Sequence, residues 1–279
     1  MKTADYIIIG GGSAGCVLAA RLSEDPGISV ILLEAGGENN AFLINMPAGT
    51  AKLMGHKDYD WCLPTEADPT ISGREMQWSA GKVLGGSSSI NVQVYMRGER
   101  SDYDNWEKMG CAGWNWDTVF PYFLKSETLH DAPSQSHGTF GPLSVSPVRQ
   151  PQAIGQHVID AFEEIGVPIN QDYCDGSQFG VYRVYATQKD GRRCSVANAY
   201  LDPVRTRANL TIVTGAQVDN IIIENGRATG VIYRQNSAPV QLEATREVIV
   251  SAGTIHSPAI LMRSGVGPEA HLREHGIDA

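Results

Sequence analysis

Three glycines, an acid and a run of serines are the residues of this chain best placed to do chemistry. Gly10, Gly12 and Gly15 make a Gly-x-Gly-x-x-Gly turn. It follows the apolar run 6–9 and opens into residues 16–22, where apolar side chains return at helical spacing. In a strand-turn-helix of this kind Gly10 permits the tight turn and Gly12 lets a pyrophosphate approach the backbone. Gly15 lets helix and strand pack closely. Ser13 and Ala14 stand at the helix N-terminus, where free amides and the positive end of the dipole favour phosphate. A second apolar run, 28–33, ends in Glu34, followed by Ala35. The Glu34 carboxylate is placed to accept hydrogen bonds from a ribose diol. A glycine triplet alone is often only a turn; with strand, helix, second strand and terminal acid in register it predicts a dinucleotide site.

These residues need elements to hold them. After Glu34, residues 38–80 lack sustained periodicity and contain Pro47, Pro64 and Pro69, a long loop of the kind that is functional or a lid. The aromatics of Asp58-Tyr59-Asp60-Trp61 are either core anchors or a cover for a bound ring. Gly85-Gly86-Ser87-Ser88-Ser89 follows, flanked by Val83, Leu84 and Ile90. A flexible linker would be polar throughout. Apolar flanks suggest instead a backbone pressed against a ligand, with hydroxyls and amides turned to phosphate or ribityl oxygens.

Residues 101–125 read as two short helices broken at 110–113, the second capped by Asn115 or Asp117. His137 is expected as a hydrogen-bonding residue of a polar loop, 128–142. Residues 153–165 form an amphipathic helix with Ile154, Val158, Ile159, Ala161, Phe162 and Ile165 on its apolar side, stopped by Gly166. A strand is expected at 182–187. Arg192 and Arg193 could pair with phosphate or lie on a solvated surface. Strands at 210–213 and 217–223, an Asn225-Gly226 hairpin, and strands at 228–233 and 247–250 come next. The last opens into Ser251-Ala252-Gly253-Thr254, and Ser257-Pro258 is expected to start a helix through Met262.

Composition bounds the answer. At 279 residues, 42% hydrophobic and 19% charged, the chain can bury a large core in about two domains. A net charge of −9, from 22 basic and 31 acidic residues, argues against nucleic acid or an anionic membrane as partner. No stretch approaches the roughly 18–20 apolar residues of a membrane span. With the first strand beginning almost at the N-terminus, no signal peptide is expected. Five scattered cysteines without a CxxC pair are expected as reduced thiols of a cytoplasmic protein, with no metal site.

Four blocks carry a family resemblance: DYIIIGGGSAGCVLAARL with VILLEAGG, GKVLGGSSSINVQVYMRG, RRCSVANAYL, and VIVSAGTIHSPAILMRSGVGP. Together they resemble the N-terminal half of the glucose–methanol–choline (GMC) family of FAD-dependent oxidoreductases, in texture its bacterial choline dehydrogenase-like alcohol dehydrogenases. The resemblance implies an α/β fold, a Rossmann-like FAD-binding domain with part of an interleaved substrate-binding domain. Residues 1–155 and 190–279 would form the first and 156–189 the start of the second, the remainder of both lying beyond 279. It also implies roles by position. Gly10, Gly12 and Gly15 would hold the pyrophosphate and Glu34 the adenosine ribose. Val83, Gly85, Gly86 and Ser87 would follow the pyrophosphate and ribityl chain. Asn91, Val92, Gln93 and Val94 would lie against the isoalloxazine ring, Val218 against the adenine, and Ala252 and Gly253 along the nucleotide.

Covalent flavin in the family uses a histidine of the Gly/Ser block. Residues 85–94 contain none, so non-covalent FAD is expected. None of His56, His130, His137, His157, His256, His271 or His275 matches the family's catalytic position, and no catalytic residue is assigned. The expected partners are a small alcohol and the other half of the enzyme, without which the chain should associate through exposed apolar surface. An inactive FAD-binding fragment, a hydroxynitrile lyase on the same fold and an NAD-dependent Rossmann enzyme are the alternatives.

Overall fold

A computed structural model describes residues 2–132 and 134–279; Met1 and Pro133, both in the expected 1–155 segment, lie outside the described residues. The chain forms two units, Met1–Asn91 with Ser195–Ala279, and Val92–Cys194, the second taking in the expected 156–189 segment.

In the first unit the apolar runs become the sheet. Strand β1 (Lys2–Ile9), helix α1 (Ser13–Leu22) and β2 (Val30–Leu33) are followed, far along the chain, by β3 (Leu210–Val213), β4 (Gln217–Glu224), β5 (Arg227–Gln235) and β6 (Ala238–Val250). They are ordered β3-β2-β1-β6-β5-β4. From β3 to β6 neighbours pair parallel, and β6, β5 and β4 pair antiparallel. Continuous runs such as Ile7-Ile8-Ile9 arise because both faces are covered. Ile7 and Ile9 pack with Ile31, Leu33, Val231 and Leu242. Ile8 packs on the other face with Leu32, Cys16, Ala19, Leu84 and Leu201. Each such side chain contributes about 1.5–3 kcal/mol by leaving water.

Asn225 and Gly226, at φ 51° and 75°, make the expected hairpin turn between β4 and β5. Strand β6 is much longer than the expected 247–250. Its leading part alternates polar residues such as Glu243 and Thr245 with buried Leu242 and Ala244, so a search for a buried run misses it. Helix α2 spans Gly253–Arg263 rather than starting at Ser257, with Pro258 inside it. The helix grows directly from the glycine turn that ends β6, and Pro258 costs it a single backbone donor.

Within residues 38–80 short helices Phe42–Asn45 and Thr50–Leu53 place Ile44 and Leu53 against Val83 and Ile90. Tyr59 packs at the edge of that cluster. Asp60 ties the segment together, its carboxylate accepting from the amides of Gly55, Cys62 and Ala80 at 2.8–2.9 Å.

The second unit carries a four-stranded sheet, ordered Val94–Tyr95, Tyr185–Ala186, Leu143–Pro147, Glu127–Leu129. Helices Arg100–Lys108 and Trp116–Ser126 flank the expected glycine break, and Asn115 Oδ1 caps the latter by accepting from the Thr118 amide at 2.9 Å. The strand expected at 182–187 shrinks to two residues, because Tyr182 stacks on Tyr173 at 4.2 Å instead of joining a ladder.

His137 does bond as expected, but in the interior rather than on a polar loop. Its Nδ1 lies 2.6 Å from Glu127 Oε1 and its Nε2 3.3 Å from Asp172 Oδ1. Arg97 donates to the same Glu127 oxygen at 2.6 Å and to the carbonyls of Ser136 and Cys174. Burial opposes an imidazolium here, yet hydrogen bonds to Asp172, Cys174 and Glu127 overcome it and raise the His137 pKa to about 11. Arg193 is likewise buried rather than solvated. All five cysteines are free thiols. Among the described residues no helix is long and apolar enough to cross a membrane.

Candidate dinucleotide site

The ends of β1, β2 and β6 meet at one edge of the parallel sheet, the place where open α/β sheets bind ligands. The Gly10 amide donates to the Leu33 carbonyl at 2.8 Å, and the Ser251 hydroxyl bonds the carbonyls of Ile9 and Gly10 at 3.0 Å. Helix α1 crosses β1 so closely that a Cβ on Gly15 would stand 1.9 Å from the Gly10 carbonyl oxygen. The Gly/Ser block then lies on this turn, turning through the short helix Gly86–Ser89. Gly85 donates to the Gly11 carbonyl at 2.7 Å. Gly86, at φ 54°, approaches so near that its Cβ would come within 2.8 Å of Gly12 Cα. The two glycine motifs are therefore one packed unit.

Gly12 behaves differently. A Cβ there would meet nothing closer than Gly86 Cα at 4.0 Å. Its bareness serves no packing against protein and leaves open space over the first turn of α1. That turn has no side-chain cap and no acidic residue, and Ser13 and Ala14 are exposed. Unclaimed amides and a positive dipole end are the features a diphosphate requires.

A cleft of about 680 Å³ opens in front of them. Of the residues expected to bind cofactor, Gly10, Gly12, Ser13, Ala14, Glu34, Ala35, Gly86, Ser87, Val218, Ala252 and Gly253 line it. Gly15 and Gly85 stand behind it as packing positions, and Val83 is fully buried with Ile44 and Leu53. Asn91 is exposed at the close of the first unit's leading segment, where its carbonyl accepts from Thr50 Oγ1 at 2.9 Å. Val92, Gln93 and Val94 belong to the second unit; Val92 and Val94 are exposed and Gln93 is buried, at φ 65°.

Glu34 has a structural task that its position in the sequence does not reveal. Its Oε2 accepts from the Gly11 amide and its Oε1 from the Gly36 amide, each at 2.8 Å, so the acid clamps both flanking turns. Burial raises its pKa to about 7, against the pull of those two amides. Each oxygen retains acceptor capacity beyond its one amide bond, and Glu34 lines the cleft.

Further lining residues come from the 38–80 segment and from α2: Trp61, Trp78, Ser79, His256 and Arg263. The Trp61 and His256 rings meet at a 35° tilt with centroids 4.1 Å apart, and Lys82 Nζ lies 4.7 Å from the Trp61 ring centroid. Burial lowers the His256 pKa, and the charges of Arg263 and Lys82 lower it further. The Asp58–Trp61 aromatics and the block that holds His256 and Arg263 were the signals that pointed here, though neither gave His256 a role. The set of bare amides, hydroxyls and a buried acid fits a dinucleotide, and the open face of Gly12 is the part of that fit which protein packing does not explain.

Comparison with known proteins agrees. Residues 4–277 match the GMC oxidoreductase family. Oxygen-dependent choline dehydrogenase of Rhizobium etli is 44% identical over 275 residues, covering 99% of this chain and 50% of that protein. The enzyme of the same name from Brucella melitensis is 42% identical over the same shares. Among solved structures, pyridoxine 4-oxidase from Mesorbium loti superposes with a TM-score of 0.94 at 36% identity, over 99% of this chain and 54% of that one. Formate oxidase of Aspergillus oryzae, studied for its FAD modification, gives 0.92 at 31% identity over 100% and 50%. The chain thus spans about half the length of the curated relatives it matches. It belongs to the GMC oxidoreductases and carries the FAD-binding N-terminal domain of that family.

Proposed function

We propose that this chain is the cofactor-holding half of an enzyme that oxidises a primary or secondary alcohol to the carbonyl. The supporting observation is the paired glycine cradle, whose one uncrowded member, Gly12, faces the cleft. FAD, when bound, supplies the hydride acceptor. The chain's own residues do the holding. Amides of 12–15 and the Gly86-Ser87 turn would take the diphosphate, while Glu34 would take the adenosine diol. Val218 would flank the adenine, and Ala252 and Gly253 would border the nucleotide. Asn91 to Val94 would face the flavin ring. With no histidine at 85–94 the cofactor would be held without a covalent bond. The base that removes the alcohol proton is assigned to the other half of the enzyme.

A second reading is an FAD-binding module that performs no chemistry, favoured by the half-length match. Titration of the 279-residue chain with FAD should give a yellow protein whose flavin is released on denaturation. Anaerobic addition of choline then separates the readings. Bleaching near 450 nm would establish oxidation by this chain. A yellow protein that bleaches only when the other half is supplied would support the divided enzyme, and failure to retain FAD would overturn both.

A further inference from the structure

Gly11 is buried and held by three bonds from three separate parts of the chain. Its amide donates to Glu34 Oε2 at 2.8 Å, just past β2. Its carbonyl accepts from the Gly85 amide at 2.7 Å, out of the Gly/Ser block. The same carbonyl accepts from Cys16 Sγ at 3.1 Å, one turn into α1. Cys16 is fully buried, and burial pushes its thiol pKa up to about 12, so at neutral pH it keeps the proton this bond needs. Crowding requires glycine at this position, since a Cβ would lie 2.9 Å from Leu84 Cδ2. A glycine backbone turns freely unless something holds it.

The peptide joining Gly11 to Gly12 is trans, so its C=O and N–H point in opposite directions. A carbonyl drawn toward Gly85 and Cys16 therefore aims the Gly12 N–H away from them. Among the described residues that N–H makes no bond to the chain, and Gly12 lines the cleft. Turned over, the same peptide would present its carbonyl oxygen to the cleft, and an anion would meet repulsion instead of a donor.

We propose that the Cys16 thiol, with the Gly85 amide, locks the Gly11–Gly12 peptide in the orientation that offers the Gly12 N–H to the diphosphate of FAD. This deepens the cofactor reading above and rests on it. Cys16 is a positioning residue, since it touches the peptide and not the ligand. Two features separate a lock from ordinary packing. The Gly11 oxygen takes two donors, where one satisfies a buried carbonyl. Both donors also approach from behind: Gly11, Cys16 and Gly85 stand outside the cleft lining, while Gly12, Gly86 and Ser87 belong to it. An N–H fixed before the ligand arrives spares the ordering cost of binding.

The test compares the unmodified chain with Cys16→Ala, using two probes: ADP, which carries a diphosphate, and adenosine, which does not. Cys16→Ala should bind ADP and FAD about three- to tenfold more weakly, the worth of one hydrogen bond. Its affinity for adenosine should stay the same. General loosening of the site would weaken adenosine as much as ADP, and that result would overturn the proposal. Equal ADP binding by both proteins would overturn it as well. A measurement on the unmodified chain covers the case of a variant that does not fold. In a chain with isotope-labelled glycine, the Gly12 amide signal, identified by its loss in Gly12→Ala, should move downfield with ADP and stay in place with adenosine. A Gly12 signal that stays in place under saturating ADP would refute the lock. The FAD titration keeps the two claims apart: an unmodified chain that binds neither ADP nor FAD refutes the cofactor reading, while undiminished FAD binding by Cys16→Ala refutes the lock alone.

Discussion

Glu34 and Glu127 are both almost completely buried, one in each unit, and the surroundings treat them in opposite ways. Glu34 is held by two backbone amides, and burial lifts its pKa against those bonds and the charge of Lys82. Glu127 receives Arg97 and His137 on one oxygen, each at 2.6 Å. The first arrangement leaves an acid beside open space with acceptor capacity to spare. The second encloses its charges in a network of side chains. A buried acid that has not been neutralised by its own chain is the one positioned for a ligand, and an acid already matched by cations holds structure.

The strongest way to break that comparison is to remove Glu127. Glu127→Ala would leave the Arg97 guanidinium buried beside a protonated His137 with no acceptor on that side. Loss of one partner of a buried pair costs about 3–5 kcal/mol, so denaturant unfolding should show a large loss of stability. If the variant melts like the unmodified chain, the network is not what holds the second unit. A matching test in the first unit is Gly12→Ala. The added methyl meets no protein atom closer than 4.0 Å, so folding should be unaffected while FAD affinity drops at least about tenfold, or ~1.4 kcal/mol. Equal FAD affinity would mean that the cofactor does not approach Gly12.

Two members of the second unit's network also titrate in different windows. His137 has a folded pKa near 11 against an ordinary value of 6.5, so its contribution to stability is complete below about 6.5 and is lost as pH rises toward 11. Asp172 moves the other way. Although burial opposes it, bonds from His137, Ser134 and the Cys174 amide hold its pKa near 2, so its contribution is present above about 3.8 and lost as pH falls toward 2. Unfolding curves between pH 6.5 and 11 should show stability declining, and His137→Phe should flatten that decline. An unchanged slope in the variant would remove His137 as its source.

How far these features could be read in advance depended on whether they were local. Gly10, Gly12, Gly15 and Glu34 were legible because a turn and a strand end impose residue type at short range. The buried runs of β1 and β2 were legible as well. The packing of Gly86 onto Gly12 was not, since it joins positions far apart in sequence through a close approach that leaves no periodic trace. The leading half of β6 hid because its outward face is polar. His137, in a stretch of polar residues, gave no sign of the carboxylates of Glu127 and Asp172 awaiting it. The apolar side of the helix Ile154–Glu164 was legible as a pattern, yet nothing local could say that this chain would leave Ile154, Val158 and Phe162 exposed.

The sharpest test of the contrast is Glu34 itself. Glu34 is disfavoured as an anion by burial, so with a folded pKa near 7 and an ordinary value of 4.5 the sign is opposite to that of a salt-bridged acid. Its contribution to stability is complete below about 4.5, falls as pH rises to about 7 and changes little beyond. Glu34→Gln removes that dependence and turns an amide donor toward either the Gly11 or the Gly36 N–H, which should cost about 1–3 kcal/mol through one unmade bond. If FAD takes up the acid's remaining lone pairs, the cofactor should favour the anion and shift the titration to lower pH. Stability curves of the chain with and without FAD between pH 4.5 and 7 would show this, the gap between them widening with pH. A constant gap would leave Glu34 as a clamp for its own turns and return the ribose to some other acceptor.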